Sequence, residues 1–345
     1  MITRILLILF LVSAAALASS ESDWASIVAM DAGPKRKPST REDAKMIARA
    51  HLAAQKSLID AFLTKYPAAP HAFEAKQKLA SILATQGNMD NTTRPVNEAL
   101  AILGKLENDP EAPAARRADI GFRRISLYLQ SLRGREVEMR GAIVDSARGF
   151  VSKYPGDKRG PRLLVEVSTI CDGDPKLKRE LLEQARGLSN EEALNRRIAD
   201  DLVRIGLLDK PLEVKFKTIQ GGTFNTADEK GNVVVLLFWS AESPQCLMWM
   251  KKFSRNMALL PKANLRVATV SLDSKRSEVT RRMAEFGMDA WPTSYEGSGW
   301  ESAIARPLGI NALPTVFVLD KSGALRALNA QDNYVAWVEK LLRQP

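Results

Sequence analysis

A run of aliphatic residues that stops at a short polar turn most constrains how this chain can fold. Residues 233–237 are Val-Val-Val-Leu-Leu, and such a run bounded by turn residues predicts a buried strand. The turn ends in Ser243-Pro244-Gln245-Cys246, and residues 247–253 then predict a helix. Because unpaired N–H groups and the helix dipole favour a thiolate at a helix N-terminus, any thiol chemistry would lie here.

The stretch around that turn resembles the active-site segment of the thioredoxin superfamily, in particular the TlpA-like envelope thioredoxins and their peroxiredoxin relatives. The family pattern is Phe-Trp-Ala-x-Trp-Cys-x-x-Cys. Phe238 and Trp239 match its start, and Cys246 matches its second cysteine. Ser243 stands where the family has its first, nucleophilic cysteine, and Glu242 stands where it has the preceding tryptophan. The resemblance therefore implies the fold, while the family's nucleophile is missing.

A second block of the same family lies downstream, at residues 308–323. It contains Leu313-Pro314-Thr315 and a later Asp-x-x-Gly turn, which look like the family's Pro-Thr strand and the turn after it. In the family this proline is cis and faces the cysteine motif. The resemblance covers residues 210–345 and implies a thioredoxin-like α/β/α sandwich. By the same resemblance, a substrate groove is expected at Trp239, Glu242, Pro244, Leu313 and Pro314.

The part of the chain before that fold predicts helices alone. Their expected spans are 40–65, 70–86, 94–107, 112–133, 135–153, 159–171, 175–187 and 190–206. We therefore expect an all-α domain at 40–208 followed by the thioredoxin-like domain at 209–345. Residues 19–39 are expected to be a linker, because Gly33-Pro34 and Pro38 bracket a small basic run.

One internal repeat stands out within the helical region. Phe62-Leu-Thr-Lys-Tyr-Pro67 recurs 88 residues later as Phe150-Val-Ser-Lys-Tyr-Pro155. It resembles a signature of tetratricopeptide-like (TPR-like) units in envelope proteins, but the internal pattern of a full repeat is not evident. Two interpretations stay open: a plain helical bundle, or an α-solenoid that offers a concave surface to a protein or peptide partner.

The N-terminus has the features of a secretory signal peptide spanning residues 1–18. Arg4 precedes an apolar run from Ile5 to Val12, and Ala16-Leu17-Ala18 is a small-x-small cleavage site. We expect cleavage before Ser19, no stable membrane span afterwards, and a periplasmic or secreted protein.

The formal net charge of +10 is evenly spread along the chain. From Lys210 onward there are 18 Lys and Arg against 13 Asp and Glu, and the remainder carries 32 against 27. With no basic run interleaved with aromatics, this argues for a solvated surface and against a nucleic-acid partner.

Cysteine and histidine are scarce. Cys171 and Cys246 lie in different predicted domains, so we do not expect a structural disulfide between them, and Cys171 is expected to be an inert buried residue. His51 and His71 are the only histidines. We therefore expect no metal site and no cofactor.

The Ser243 position excludes the ordinary dithiol cycle, because that cycle needs one thiol to attack and a second to release the product. Three interpretations of Cys246 stay open. It could be a lone redox thiol in a peroxiredoxin-like Ser-x-x-Cys arrangement, or it could form mixed disulfides with a partner. Alternatively it is a core residue, because Cys246, Met250, Phe253, Met257 and Leu260 share one helix face. We favour the core interpretation.

Two functional hypotheses follow. In the first, the chain is an exported TlpA-like protein of the thiol-disulfide oxidoreductase or redoxin class, with at most single-cysteine activity from Cys246 beside Ser243. In the second, it is a non-catalytic module that binds a protein or peptide through the helical domain and the Pro314 groove. The oligomeric state is not predicted.

Overall fold

The computed structural model describes residues 19–132 and 138–344. Contacts divide the chain into two compact units, Met1–Arg159 and Gly160–Pro345. The predicted signal peptide, residues 1–18, lies outside the described residues. Among the residues described, none of the helices combines the length and the apolar character needed to cross a membrane.

The first unit is built from helices. Residues 19–29 form α1, and the following helices are α2 (Arg41–Lys65), α3 (Ala72–Asp90), α4 (Thr93–Glu107), α5 (Ala114–Ser131) and α6 (Arg140–Lys153). The prediction of a linker at 19–39 is wrong for its first half. Ile27 is buried in the helical core, and Trp24 stacks on His71 at 4.8 Å between ring centroids. These two contacts hold α1 against its neighbours, whereas the Gly-Pro signal marks only the segment after it.

The two copies of the repeated hexapeptide have the same local geometry. Each ends its helix with the tyrosine N–H bonded to the phenylalanine carbonyl, at 2.8 Å for Tyr66 and 2.9 Å for Tyr154. In each copy the lysine and the tyrosine hydroxyl bond one carboxylate, which is Asp23 in the first copy and Glu107 in the second. The repeat is therefore a local structural unit, while its relation to tetratricopeptide repeats stays a prediction.

The second unit begins with three helices and continues into the sheet region. The helices are α7 (Arg159–Ser168), which starts at the division, α8 (Pro175–Leu188) and α9 (Glu192–Leu207). All eight helices predicted for 40–208 are present, and their described ends differ by a few residues from the predicted ones. The predicted end of the fourth helix and the predicted start of the fifth lie outside the described residues. The contact division falls after Arg159, so the predicted domain boundary at 208/209 stays a prediction.

The sheet region alternates short strands with three helices. The strands are β1 (Lys215–Lys217), β2 (Thr223–Asn225), β3 (Val233–Trp239), β4 (Leu265–Ser271), β5 (Thr293–Tyr295), β6 (Thr315–Leu319) and β7 (Leu325–Ala327). The helices are α10 (Pro244–Leu259), α11 (Arg276–Phe286) and α12 (Tyr334–Leu342). The sequence analysis did not predict strands β2 and β5.

The five-stranded sheet has the order β5-β4-β3-β6-β7. Strand β3 runs parallel to β4 and antiparallel to β6, and every residue of β3 is buried. This burial on both faces is what the aliphatic run predicted. Because β3 and β4 are parallel and paired from Val233–Leu265 to Trp239–Ser271, their carboxyl ends meet at one edge of the sheet. The motif turn and the residues after β4 are therefore neighbours.

Candidate functional site: the cleft beside the motif turn

The turn after β3 leads directly into α10. Ser243 is the N-cap of that helix, and its Oγ accepts a hydrogen bond from the Cys246 N–H at 3.3 Å. Pro244 occupies the first turn, where its missing N–H costs no helical hydrogen bond. Ser243, which stands where the family has its nucleophile, therefore caps the N-terminus of α10.

A buried carboxylate that the sequence analysis missed holds the turn from below. Asp273 is 0% exposed, and its Oδ1 accepts bonds from Ser240 Oγ at 2.7 Å and from the Glu242 N–H at 3.1 Å. Its Oδ2 accepts bonds from the Ala241 N–H at 3.0 Å and from Ser271 Oγ at 2.7 Å. Four donors satisfy the buried charge without a cation. The signal for Asp273 was its place just after β4, next to the end of β3.

The thiol of Cys246 lies inside the core. Cys246 is 0% exposed and packs in one apolar cluster with Met250, Phe253 and Met257. Burial raises the pKa of the Cys246 thiol above its ordinary value, and the hydrogen bond with Ser243 lowers it by less. The expectation that this helix face packs in the core is confirmed. Cys171 is also buried, and both cysteines are free thiols.

An open cleft of about 390 Å³ lies on the other side of Ser243. It is lined by Ser240, Glu242, Ser243, Leu272, Ser274, Gly299, Trp300, Asn311, Ala312 and Leu313. The Leu313–Pro314 peptide bond is cis, as the family resemblance implied. The structure therefore brings Ser243, Glu242 and Leu313 together around one cleft.

The other predicted groove residues lie elsewhere. Trp239 was expected in the groove, but it is fully buried, and its Nε1 donates to Thr269 Oγ1 at 3.2 Å. The alternation of side chains along β3 explains this, because Trp239 faces the same way as Val235 and Leu237. Pro314 is buried, and Pro244 is exposed at the start of α10; neither is among the residues that line the cleft.

Helix α9 supports the loop that forms one wall of the cleft. Asn311 donates from Nδ2 to Asp201 Oδ1 at 3.0 Å, and Asp201 is itself buried and paired with buried Arg204. Gly309 has a φ of 68°, and a Cβ atom there would lie 2.3 Å from the carbonyl oxygen of Asp200. This close approach requires glycine. The position of the Asn311 loop thus depends on a helix that precedes the region of family resemblance.

Comparison with known proteins agrees with this architecture. Residues 209–328 match the model of the AhpC/TSA family. No curated protein is significantly similar to the chain.

Three solved structures illustrate the similarity. The thioredoxin domain of a thiol-disulfide oxidoreductase from Bacteroides vulgatus has 17% identity and a TM-score of 0.36, over 39% of this chain and 98% of that one. A thiol:disulfide interchange protein of the thioredoxin family from Chlorobium tepidum has 18% identity and a TM-score of 0.34, over 39% and 96%. A thiol:disulfide interchange protein from Bacteroides sp. has 17% identity and a TM-score of 0.34, over 39% and 88%.

The fold class predicted from the sequence is confirmed, with an all-α N-terminal part followed by a thioredoxin-like part. Residues 209–328 form a redoxin domain of the thioredoxin superfamily.

Proposed function

We propose that the redoxin domain binds an extended peptide segment of a partner protein in the cleft beside Ser243, and that it does not carry out a dithiol–disulfide cycle. The observation that carries this proposal is the separation of the thiol from the cleft. Cys246 is fully buried on the core side of α10, whereas Ser243 is half-buried and lines the open side. A substrate in the cleft would meet a hydroxyl group, which cannot form a disulfide.

The backbone beside the cleft supports a peptide ligand. Within the described residues, Leu313 makes no backbone–backbone hydrogen bond through its N–H or its carbonyl, because the β3–β6 ladder ends at Phe238 and Thr315. Unpaired main-chain groups at the end of a strand can pair with an extended peptide, whose side chains then enter adjoining pockets. The exposed Ala312 leaves room for such a segment.

A cleft-filling substitution tests the binding. Ala312→Trp places a large side chain on the exposed cleft wall and should abolish the binding of fluorescent extended peptides, measured by anisotropy against a peptide array. Ala290→Trp is the matched control, because Ala290 is exposed on another loop and does not line the cleft. Equal peptide binding by both variants and the wild type would place the binding elsewhere and end the proposal.

A second variant tests whether the cleft is still that of an oxidoreductase. Ser243→Cys restores Cys-x-x-Cys with its first thiol on the half-buried position that lines the cleft. With dithiothreitol as the electron donor, we expect the variant to accelerate the reduction of insulin disulfides above the uncatalysed rate, and we expect the wild type not to do so. No gain in a folded variant would mean that disulfide substrates do not reach Ser243.

Single-thiol redox activity is the alternative function. Its support is the place of Cys246 in the first turn of α10, where the Ser243 hydroxyl acts to lower the thiol pKa. A peroxidase of this kind would lose its activity in Cys246→Ala. Unchanged peroxide consumption in that variant, with peptide binding retained, would exclude it.

We also propose that the protein is exported through the signal peptide at residues 1–18. The support is the sequence itself: a positive residue, an apolar run and a small-x-small site. Mass spectrometry of the mature protein from the periplasmic fraction should show Ser19 as the N-terminal residue. A protein that keeps Met1 in the cytoplasm would contradict export.

A further inference from the structure

The cleft has a carboxylate on its lining and an aromatic ring beside it. Glu242 is the one acidic or basic residue among the ten residues that line the cleft, and Trp300 contributes an indole that is 53% exposed. We propose that this cleft selects a peptide that carries a cationic side chain, Lys or Arg, which lies between Glu242 and Trp300. This inference rests on the proposed peptide-binding function and names its ligand class.

The Glu242 carboxylate is held in place from two sides. Its Oε1 accepts a hydrogen bond from Ser274 Oγ at 2.7 Å, while its own backbone N–H is bonded to Ser240 Oγ at 3.0 Å and to Asp273. An exposed glutamate normally loses side-chain entropy when it binds a cation. Because Glu242 is hydrogen-bonded through both its backbone and its side chain, part of this side-chain entropy is already lost in the free protein, and less is lost on binding.

The carboxylate on the cleft lining and the one beneath it are not paired with a cation. Asp273 lies under the turn and is satisfied by hydroxyl and N–H groups alone. Within the described part of the chain, neither Glu242 nor Asp273 forms an ion pair with Lys, Arg or His. A cleft lined by one sign of charge concentrates ligands of the opposite sign. Because the chain as a whole has a net charge of +10, this local charge is not a consequence of its composition.

The aromatic and apolar parts of the lining complete the match. An indole attracts an ammonium or guanidinium group placed over its face, and it does so more strongly than the other aromatic rings. Leu272, Ala312 and Leu313 offer apolar surface along which the methylene stem of a lysine or arginine can pack. A carboxylate, an indole and an apolar wall within one cleft suit a long cationic side chain better than an acidic or a short one.

The test compares three labelled peptides that differ only at one central residue, which is lysine, norleucine or glutamate. Norleucine keeps the stem of lysine without its charge. We expect the full-length wild type to bind the lysine peptide about tenfold more tightly than the norleucine peptide, and the glutamate peptide most weakly. The preference for lysine should shrink as the salt concentration rises, because the carboxylate is exposed to solvent.

Two variants locate the preference. Glu242→Gln should reduce the lysine-to-norleucine ratio to about twofold or less, and Trp300→Ala should weaken the lysine peptide by about fivefold. Glu296→Gln is the matched control, because Glu296 is exposed, precedes Gly299 by three residues and does not line the cleft. It should leave the ratio unchanged.

The outcomes separate this inference from the function on which it rests. If all three peptides bind equally and Ala312→Trp still abolishes binding, the cleft binds peptides and the cation preference is wrong. If the lysine-to-norleucine ratio is unchanged in Glu242→Gln, another residue recognises the cation and the inference is likewise wrong. If no peptide binds the wild type, the proposed function fails together with the preference.

Discussion

Glu107 in the first compact unit and Asp273 in the second are both buried carboxylates, with 4% and 0% exposure, but their partners differ. Glu107 accepts hydrogen bonds from two cations, Arg124 at 2.7 Å and Lys153 at 3.0 Å, and from the Tyr154 hydroxyl at 3.2 Å. Asp273 accepts four hydrogen bonds, all from neutral hydroxyl or N–H groups. The negative charge of Glu107 is neutralised by adjacent cations, whereas the negative charge of Asp273 has no cationic partner among these contacts.

This difference shows how a buried carboxylate can serve structure alone or also set the charge of a surface. Glu107 ties the repeated hexapeptide to α4 and α5 and leaves no net negative charge behind. Asp273 fixes the turn that carries Glu242 and Ser243, and its charge also acts to raise the pKa of the Cys246 thiol. The same carboxylate therefore disfavours a thiolate at Cys246 and, in our proposal, also favours a cation bound in the cleft.

Removing the Asp273 charge should have the largest effect. In Asp273→Asn, one oxygen becomes an NH₂ group that faces the donors of the turn, whichever way the amide is placed. We expect the free energy of unfolding to fall by about 2–4 kcal/mol, since a buried hydrogen-bond network is broken. Urea unfolding followed by tryptophan fluorescence measures this loss of stability. Five of the six tryptophans follow residue 160 and therefore report on the second unit, which contains Asp273.

Asp289→Asn is the control for that variant, because Asp289 is exposed and its substitution should change the stability by less than about 0.5 kcal/mol. Equal stability of the two variants would show that the four bonds to Asp273 do not hold the turn.

Glu107→Gln should have a smaller effect, about 1–2 kcal/mol, because Arg124 and Lys153 are 38% and 43% exposed and can regain water. Hydrogen exchange of the α6 segment, which ends at Lys153, measures the loss locally. Burial alone would raise the pKa of Glu107, but the bonds from Arg124 and Lys153 outweigh it and hold that pKa below its ordinary value.

The pH dependence follows from that direction. Because the folded pKa is lowered, the stabilisation is present above the unfolded pKa of about 4.3 and is lost as the pH falls through the folded pKa. The difference in the free energy of unfolding between the wild type and Glu107→Gln should therefore become smaller in acid. If this difference became larger as the pH fell, the ion pairs of Glu107 would not be the cause of the difference in stability.

The first copy of the repeat should give the smallest effect. Asp23 bonds Lys65 and Tyr66 as Glu107 bonds Lys153 and Tyr154, but it lies at the surface, where water competes for the same groups. We expect Asp23→Asn to leave the thermal unfolding midpoint unchanged, measured by circular dichroism beside Glu107→Gln. A shift as large as that of Glu107→Gln would show that burial does not distinguish the two copies.

The helices and the main strands could be predicted because their signals are local. Proline positions, caps and periodic apolar residues give the eight helices between residues 40 and 208, and the aliphatic run gives β3. The packing of α1 through Trp24 and Ile27 was missed, since the Gly-Pro pair after it suggested a linker for the whole segment. Its partners, such as His71, are distant in sequence.

The site could be predicted only in part, for the same reason. Ser243, Glu242 and Leu313 were found by resemblance to a motif, and the same motif misplaced Trp239, which belongs to the fully buried strand β3. Asp273 lies beneath the turn because β3 and β4 are paired, and no local pattern in the sequence marks it. The buried position of Cys246 was expected from the apolar face of its helix.

The most direct test of the central claim is the alkylation of Cys246 in the folded, full-length protein as a function of pH. Iodoacetamide labelling followed by peptide mapping separates Cys246 from Cys171 without any substitution. We expect Cys246 to stay protected from alkylation at every pH at which the protein is folded, and to react only once the protein unfolds. Fast labelling with a midpoint well below the reference thiol pKa of about 8.5 would reveal an accessible, activated thiolate and contradict the account.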